Sequence, residues 1–398
     1  MSAVAESVRE ARIETAKRII HLAQERRCDF VLIAGDLFDS NAVSNELVYA
    51  VLHVLEKGAP IPVYILPGNH DFLSPGSVYQ RTALVHPPSN IHVLRDGAPV
   101  YLLDGTVALL PAPVTQKRSE RDPTADFPET PAAKYRIGVA HGSLQIEGKY
   151  QPDDHPIALD AAARGQLDYL ALGHWHSYLG ANDETIMVGT PEPMGFGDDS
   201  GSVALVELRA GEAIVERFQV NALTWIDHLW ELQPDMDILS ARWAWEPRLS
   251  EDTLLRLRVS GYSTGEMDAE LEELASWLRA RLLHLELDTT QLQPEITRGA
   301  LHHLAASHPF LGGMLSDLAQ LALMADPLGG HQAAAAGDGS QSITLTSGQH
   351  TAATDHSGQR MILDNAALRK MLHEIEDDPL VIKNAIRFLA QLAQEVST

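Results

Sequence analysis

Cysteine is almost absent: Cys28 stands alone, which excludes an internal disulfide and suits a cytoplasmic, reducing setting. It sits at the mouth of an apolar run, where inert packing is expected rather than reactivity. Long hydrophobic runs are lacking as well. Nothing approaches the ~18 consecutive apolar residues of a membrane span, and the charged opening residues lack a signal-peptide core. No membrane partner is expected. Positive charge is scarce, with 30 Lys and Arg against 54 Asp and Glu, a net charge of −24. That balance excludes a generally basic nucleic-acid-binding surface. It leaves a phosphodiester substrate open, because divalent cations can supply local positive charge.

What is present is an ordinary apolar fraction, 45%, over 398 residues, enough for two or three units. One pattern dominates. Residues 30–34, Phe-Val-Leu-Ile-Ala, form a run of strand length that breaks at Gly35, and Asp36 follows at once. Such a run reads as a buried strand of a parallel sheet, and ligands of open α/β sheets bind beyond the carboxyl ends of strands. The pattern recurs three times. Residues 62–67 lead into Gly68-Asn69-His70-Asp71, residues 135–140 into His141-Gly142, and residues 168–172 into Gly173-His174-Trp175-His176. Alone, each piece has an ordinary reading as a turn or a packed histidine. Their recurrence at strand ends predicts one polar cluster, a metal site.

Its donors are an aspartate, an amide oxygen and imidazoles. This set suits Mn²⁺, Fe²⁺ or Zn²⁺ better than Ca²⁺, and the lack of cysteine ligands argues against structural zinc. A carboxylate can bridge two ions roughly 3.5–4 Å apart, as in two-metal phosphoryl transfer. His70, next to Asn69, could face the substrate and protonate the leaving oxygen.

Along the chain, helices are expected over 7–27 and 44–57, with short strands at 91–94, 100–103 and 107–110. A polar loop over 114–133 precedes the strand ending at His141. Strands at 185–188, 202–208 and 213–220 follow, so two sheets back to back with helices outside fit the order. Beyond Trp225 a small strand–helix–strand unit spans 253–287, then a helical segment 310–325. A Gly-, Ser- and Thr-rich flexible linker and two amphipathic helices over 365–395 complete the chain. The expected boundaries are 1–225, 226–325, 326–360 and 361–398.

The segments Gly-Asp-Leu-Phe-Asp, Gly-Asn-His-Asp, His141-Gly142 and Gly-His-Trp-His resemble the motifs of calcineurin-like metallophosphoesterases. Residues 189–193, Gly-Thr-Pro-Glu-Pro, with Trp225 and the small downstream unit, are similar to DNA-repair exonucleases of the SbcD type, especially their YhaO-like branch. The resemblance covers about residues 6–287. It implies an α/β fold: a four-layer αββα sandwich with a small α+β capping domain that helps place DNA, and C-terminal helices. It further implies two Mn²⁺ ions. Asp36 would bridge them, Asn69, His141 and His174 would complete one, His176 would reach the other, and His70 would be catalytic. The implied partners are DNA and an SbcC-like ATPase with a coiled coil, with a possible homodimer.

The family's opening Asp-x-His strand has no counterpart before Asp36, since His21 falls inside a helix. The expectation is a start placed too late, one well-formed metal site, and weak or absent nuclease activity in the chain as it stands. The leading function is a metal-dependent DNA exonuclease or endonuclease in repair. The alternatives are a metallophosphoesterase acting on a nucleotide or phosphoprotein, and a non-catalytic DNA-binding subunit with a half-built site.

Overall fold

The structure, a computed structural model, describes residues 3–294 except 183, 210, 211, 234 and 235, together with 353–354 and 360–361. The expected helices at 310–325 and 365–395 lie outside the described residues, as does most of the expected linker. At the expected boundary between the linker and the last segment, Ala353–Thr354 pairs antiparallel with Arg360–Met361. Residues 1–261 and 266–292 make one compact unit, described below.

The chain opens with helix α1 (Ala3–Glu25), strand β1 (Val31–Ala34), helix α2 (Asn45–Glu56) and strand β2 (Val63–Leu66). Ser44 caps α2 by accepting a hydrogen bond from the Leu47 amide at 3.2 Å. A one-turn helix α3 (Thr82–Val85) leads to β3 (Ile91–Val93), and β1, β2 and β3 form a parallel sheet in that order. Next come β4 (Val100–Leu102), β5 (Val107–Ala112), β6 (Tyr135–His141), the short helix α4 (Ala161–Arg164), β7 (Tyr169–Gly173), β8 (Leu179–Asn182) and β9 (Thr185–Met187). These strands form a second sheet in the order β4-β5-β6-β7-β9-β8, and β10 (Ser202–Arg209) with β11 (Glu212–Gln219) forms an antiparallel pair.

Side chains alternate between two faces, the period-2 rule of a strand. Val31 and Ile33 of β1, with Val63 and Ile65 of β2, pack against α1 and α2. Their neighbours Leu32, Ala34, Tyr64 and Leu66 turn the other way and meet Leu109, Ile137, Val139 and Tyr169 of the second sheet. The far face of that sheet, through Leu110, Ala140, Leu170 and Leu172, packs on α4 and the preceding loop. The layers are therefore helix, sheet, sheet, helix, as expected. Each fully buried aliphatic side chain contributes about 1.5–3 kcal/mol to this packing.

A further sheet combines β12 (Thr224–Leu232), β13 (Thr253–Ser263) and β14 (His284–Pro294). Helix α5 (Ala241–Trp245) lies between the first two in sequence, and α6 (Gly265–Arg279) follows β13. Met267, Leu271, Leu274 and Leu278 of α6 recur at helical spacing and pack on Leu255, Leu257 and Val259. Within the compact unit two strands exceed the expected set. β12 was foreseen only as a change of pattern at Trp225, because Ile226, His228, Trp230 and Leu232 alternate with Asp227, Leu229 and Glu231, a mixed sequence that reads as a strand only once paired. It pairs in parallel with β13, Thr224 opposite Thr253. β8 carries Gly180 and Asn182 and a register irregularity, so it lacked a β signature.

Helix α1 joins these parts. One side of it packs Ile13, Ala16 and Ile20 toward α2, and Val4, Val8 and Ala11 meet Leu223, Trp225 and Leu254 at the start of the third sheet. A buried carboxylate marks the junction. Glu192 accepts hydrogen bonds from the Thr15 hydroxyl at 2.5 Å and from the backbone amides of Ala222 at 2.7 Å and Leu223 at 3.2 Å. Removing it takes the acceptor from the buried Thr15 hydroxyl and the Leu223 amide, while the Ala222 amide still reaches the Thr15 oxygen at 3.1 Å. Glu192→Ala is expected to cost about 2–3 kcal/mol in urea-induced unfolding, and a loss under about 0.5 kcal/mol, the range of an ordinary surface change, would contradict this role.

Candidate metal centre

The four apolar runs do end side by side. β1 stops at Ala34, and the chain turns through Gly35 at φ +91° into Asp36 at φ +53°. Only glycine fits at 35: any Cβ there would strike the His141 ring, and the backbone lies in the region L side chains avoid. β6 ends at His141 itself, which is buried, and β7 ends at Gly173, where a Cβ would run into the Ala34 carbonyl. His174 follows at φ +127°. Two non-glycine residues with positive φ at one cluster are the kind of backbone strain that gathers at functional sites.

Asp71 shapes the turn after β2 without joining the cluster. Its buried carboxylate accepts from the Gly68 amide at 2.7 Å, the Phe38 amide at 3.1 Å and the Tyr79 hydroxyl at 2.7 Å. Those bonds fasten the Asn69 loop to the Asp36 loop. The Asp36 carboxylate in turn accepts the His70 amide through Oδ1 at 2.9 Å.

His141 lies at the centre. Its Nδ1–H donates to the Ala34 carbonyl at 2.9 Å, which leaves the Nε2 lone pair pointing inward. Facing that lone pair are Asn69 Oδ1 at 3.0 Å, Asp36 Oδ2 at 3.1 Å and His174 Nδ1 at 3.3 Å. His174 Nε2 is committed elsewhere, to Asp154 Oδ2 at 2.7 Å, so its Nδ1 is an acceptor too. Four acceptor atoms thus converge with no donor among them. Such a group needs a proton or a cation. Ligand atoms bonded to one ion at about 2.0–2.2 Å are separated by roughly 2.8–3.6 Å along the edges of a tetrahedron or octahedron, and these spacings fall in that range. The ligand atoms of Asp36, His141 and His174 all lie within 4.8 Å of one another.

Charge agrees with this geometry. Burial raises the Asp36 carboxyl, but the hydrogen bond and charge of His141, with the His70 amide, outweigh it and hold the group below its ordinary range. Burial lowers His141, yet the Asp36 bond and charge and the Ala34 carbonyl raise it above its ordinary range. Without a cation, a proton on His141 takes the central place. His174 is lowered by burial and by the charge of His141.

The predicted residues separate into three groups. Asp36, Asn69, His141 and His174 meet. His70 is exposed beside them, its Nδ1–H donating to the Asp39 carbonyl at 3.0 Å. His176 has an exposed side chain outside the cluster, while its carbonyl accepts from the Thr190 amide at 2.8 Å. His21 is exposed on α1 and faces Glu25 at 3.3 Å. Sequence reasoning missed Asp154 and Ser143, which belong to an irregular loop between β6 and α4 with no metal-ligand spacing to mark them.

Residues 9–178 match the calcineurin-like phosphoesterase family. Over those residues the chain is similar to a calcineurin-like phosphoesterase domain. Over 179 residues, 42% of the chain, it is 27% identical to the metallophosphoesterase YhaO of Bacillus subtilis, and the match covers 42% of that protein. Over 300 residues, 67% of the chain, it is 25% identical to the DNA double-strand break repair protein Mre11 of Methanopyrus kandleri, and the match covers 63% of that protein. The chain therefore spans less than two thirds of the length of either relative. Members of that family use divalent metals, and the four converging acceptors of this chain fit one such ion.

Binding an ion requires the Nε2 lone pair that the proton on His141 occupies. Ion uptake is expected to release a proton near neutral pH, and apparent affinity is expected to fall as the solution is acidified through the raised imidazole range. Titration calorimetry in two buffers of different ionisation enthalpy reads this directly. Equal apparent enthalpies in both would contradict it.

Proposed function

We propose that the chain is a manganese-dependent nuclease that hydrolyses phosphodiester bonds in DNA during repair, in company with an SbcC-like ATPase. The observation that carries the metal chemistry is the acceptor-only convergence around His141 Nε2. The DNA assignment draws on the likeness to a DNA double-strand break repair protein and on the third sheet with α6, the expected capping domain. Asp36, Asn69, His141 and His174 hold one Mn²⁺ ion. A bound divalent ion activates water at neutral pH and offsets phosphate charge.

The remaining steps fall to the protein's own groups. Asp36 Oδ1 fixes the His70 backbone, and the Asp39 carbonyl fixes the His70 ring through Nδ1–H. Nε2 of the exposed ring is then free to carry the proton that the departing oxygen needs. In the complete two-ion reading His176 reaches the second ion. One observation favours a second reading, a non-catalytic DNA-binding subunit: among the described residues, acceptors converge for a single ion, with His176 outside them.

Purified protein with Mn²⁺ is expected to cleave linear duplex DNA and to leave p-nitrophenyl phosphate largely intact, with chelation abolishing turnover. His70→Ala is expected to lower turnover about 10²–10⁴-fold at unchanged Mn²⁺ affinity, whereas His141→Ala loses both. Preference for the small phosphomonoester points to a nucleotide or phosphoprotein substrate. DNA binding without any turnover establishes the subunit reading.

A further inference from the structure

The loop between β6 and α4 brings a carboxylate to the back of His174. Its shape is fixed by backbone pairing. The Ile157 amide donates to the Ser143 carbonyl at 2.8 Å, the Ser143 amide to the Asp154 carbonyl at 3.2 Å, and the His155 amide to the Ser119 carbonyl at 2.9 Å. Leu144 and Ile157 are fully buried on either side. Asp154 is thus held on a braced segment, although it lies far from any strand-end motif.

Oδ2 of Asp154 receives two hydrogen bonds, from the Ser143 hydroxyl at 2.7 Å and from His174 Nε2–H at 2.7 Å. Trp175 Nε1–H donates to the Ser143 oxygen at 3.1 Å. An indole can only donate, so it turns the Ser143 hydroxyl proton toward Asp154. The chain of polarity runs from Trp175 through Ser143 to Asp154, and Asp154 then fixes which nitrogen of His174 carries the proton. The other nitrogen, Nδ1, faces His141 Nε2 at 3.3 Å.

We propose that Asp154 is a positioning residue for the metal centre: through Nε2–H it locks His174 in the tautomer and orientation that present Nδ1 to the ion, with Ser143 and Trp175 holding Asp154 in place. A carboxylate behind a ligating imidazole raises the ligand's basicity and removes its rotational freedom before the ion arrives. The proposal rests on the reading of Asp36, Asn69, His141 and His174 as metal ligands. It also gives Trp175 a definite task through its indole N–H.

The test is Mn²⁺ titration of the purified protein and of Asp154→Ala, Asp154→Asn and Ser143→Ala, with thermal unfolding of each metal-free variant as the fold control. Nitrogen-15 spectra of the metal-free histidines supply a readout independent of metal and turnover. Asp154→Ala is expected to bind Mn²⁺ about 10–100-fold more weakly, with His174 moving from a single Nε2–H tautomer to a mixture. Asp154→Asn, close in shape, covers the case in which the alanine variant does not fold, and is expected to lose affinity in the same direction by a smaller factor. Wild-type protein that takes up Mn²⁺ while Asp154→Ala and Asp154→Asn bind equally well overturns the proposal alone. An unchanged His174 tautomer in both variants overturns it too. Wild-type protein that takes up no Mn²⁺ overturns the metal reading, and the proposal with it.

Discussion

His141 Nε2 is surrounded by atoms that accept and by none that donate, and the geometry of the strand ends follows from that one constraint. A buried imidazole facing a carboxylate, an amide oxygen and a second imidazole is costly unless a proton or a cation occupies the centre. The Ala34 carbonyl closes off the alternative in which His141 turns its own N–H inward. That carbonyl belongs to β1, while the histidine belongs to β6 in the facing sheet. The site is therefore set by the stacking of two sheets, and Gly35 and Gly173 are the places where the sheets come too close for a side chain.

The same close approach explains why the candidate ligands come from strand ends. β6 and β7 are paired so that His141 lies opposite Gly173, and His174 then projects one residue beyond the ladder. Asp36 lies two residues beyond β1, at a positive φ that a regular strand does not allow. A strand continued by one more ladder residue would carry either side chain to the opposite face. Rigid pairing up to the last residue and irregular backbone immediately after it together aim the donors. Away from the site, Glu192 has a comparable task, since one carboxylate holds α1 to the connection between β11 and β12.

Where function was legible in the sequence, strong local rules coincided. Apolar runs of strand length, each broken at once by Gly, Asn, Asp or His, revealed β1, β2, β6 and β7 and the cluster of Asp36, Asn69, His141 and His174. Those rules depend on neighbours in sequence. Asp154 reaches His174 from a loop 20 residues upstream, through a carboxylate flanked by Asp153 and His155 that looks like solvated polar sequence. Glu192 stands in Gly-Thr-Pro-Glu-Pro, where a buried carboxylate is unexpected until Thr15 arrives 177 residues away in sequence. β12 escaped notice for the opposite reason: its face toward α6 includes His228 and Trp230, residues whose burial only the paired sheet explains. Local pattern thus located the donors, and long-range contact determined how they are oriented.

The charge of the donor set bears on substrate class. A divalent ion on one carboxylate and three neutral donors keeps a net charge of about +1 (two minus one), whereas oxygen-rich calcium sites built from several carboxylates cancel the ion's charge. In a molecule of net charge −24, that residue of positive potential is set in a field that repels anions at long range. The described arginines of the third sheet offer little relief, because Arg256 is paired with Glu286 at 2.9 Å and Arg258 with Asp227 at 3.0 Å. For the proposed phosphodiester substrate, the proposed ion, with Asp36 as its single carboxylate, would supply local attraction that these arginines do not. On the proposed ligand reading the neutrality of Asn69, His141 and His174 matters: a carboxylate in place of any of them could still help to hold a cation, but would cancel the positive charge offered to a phosphate.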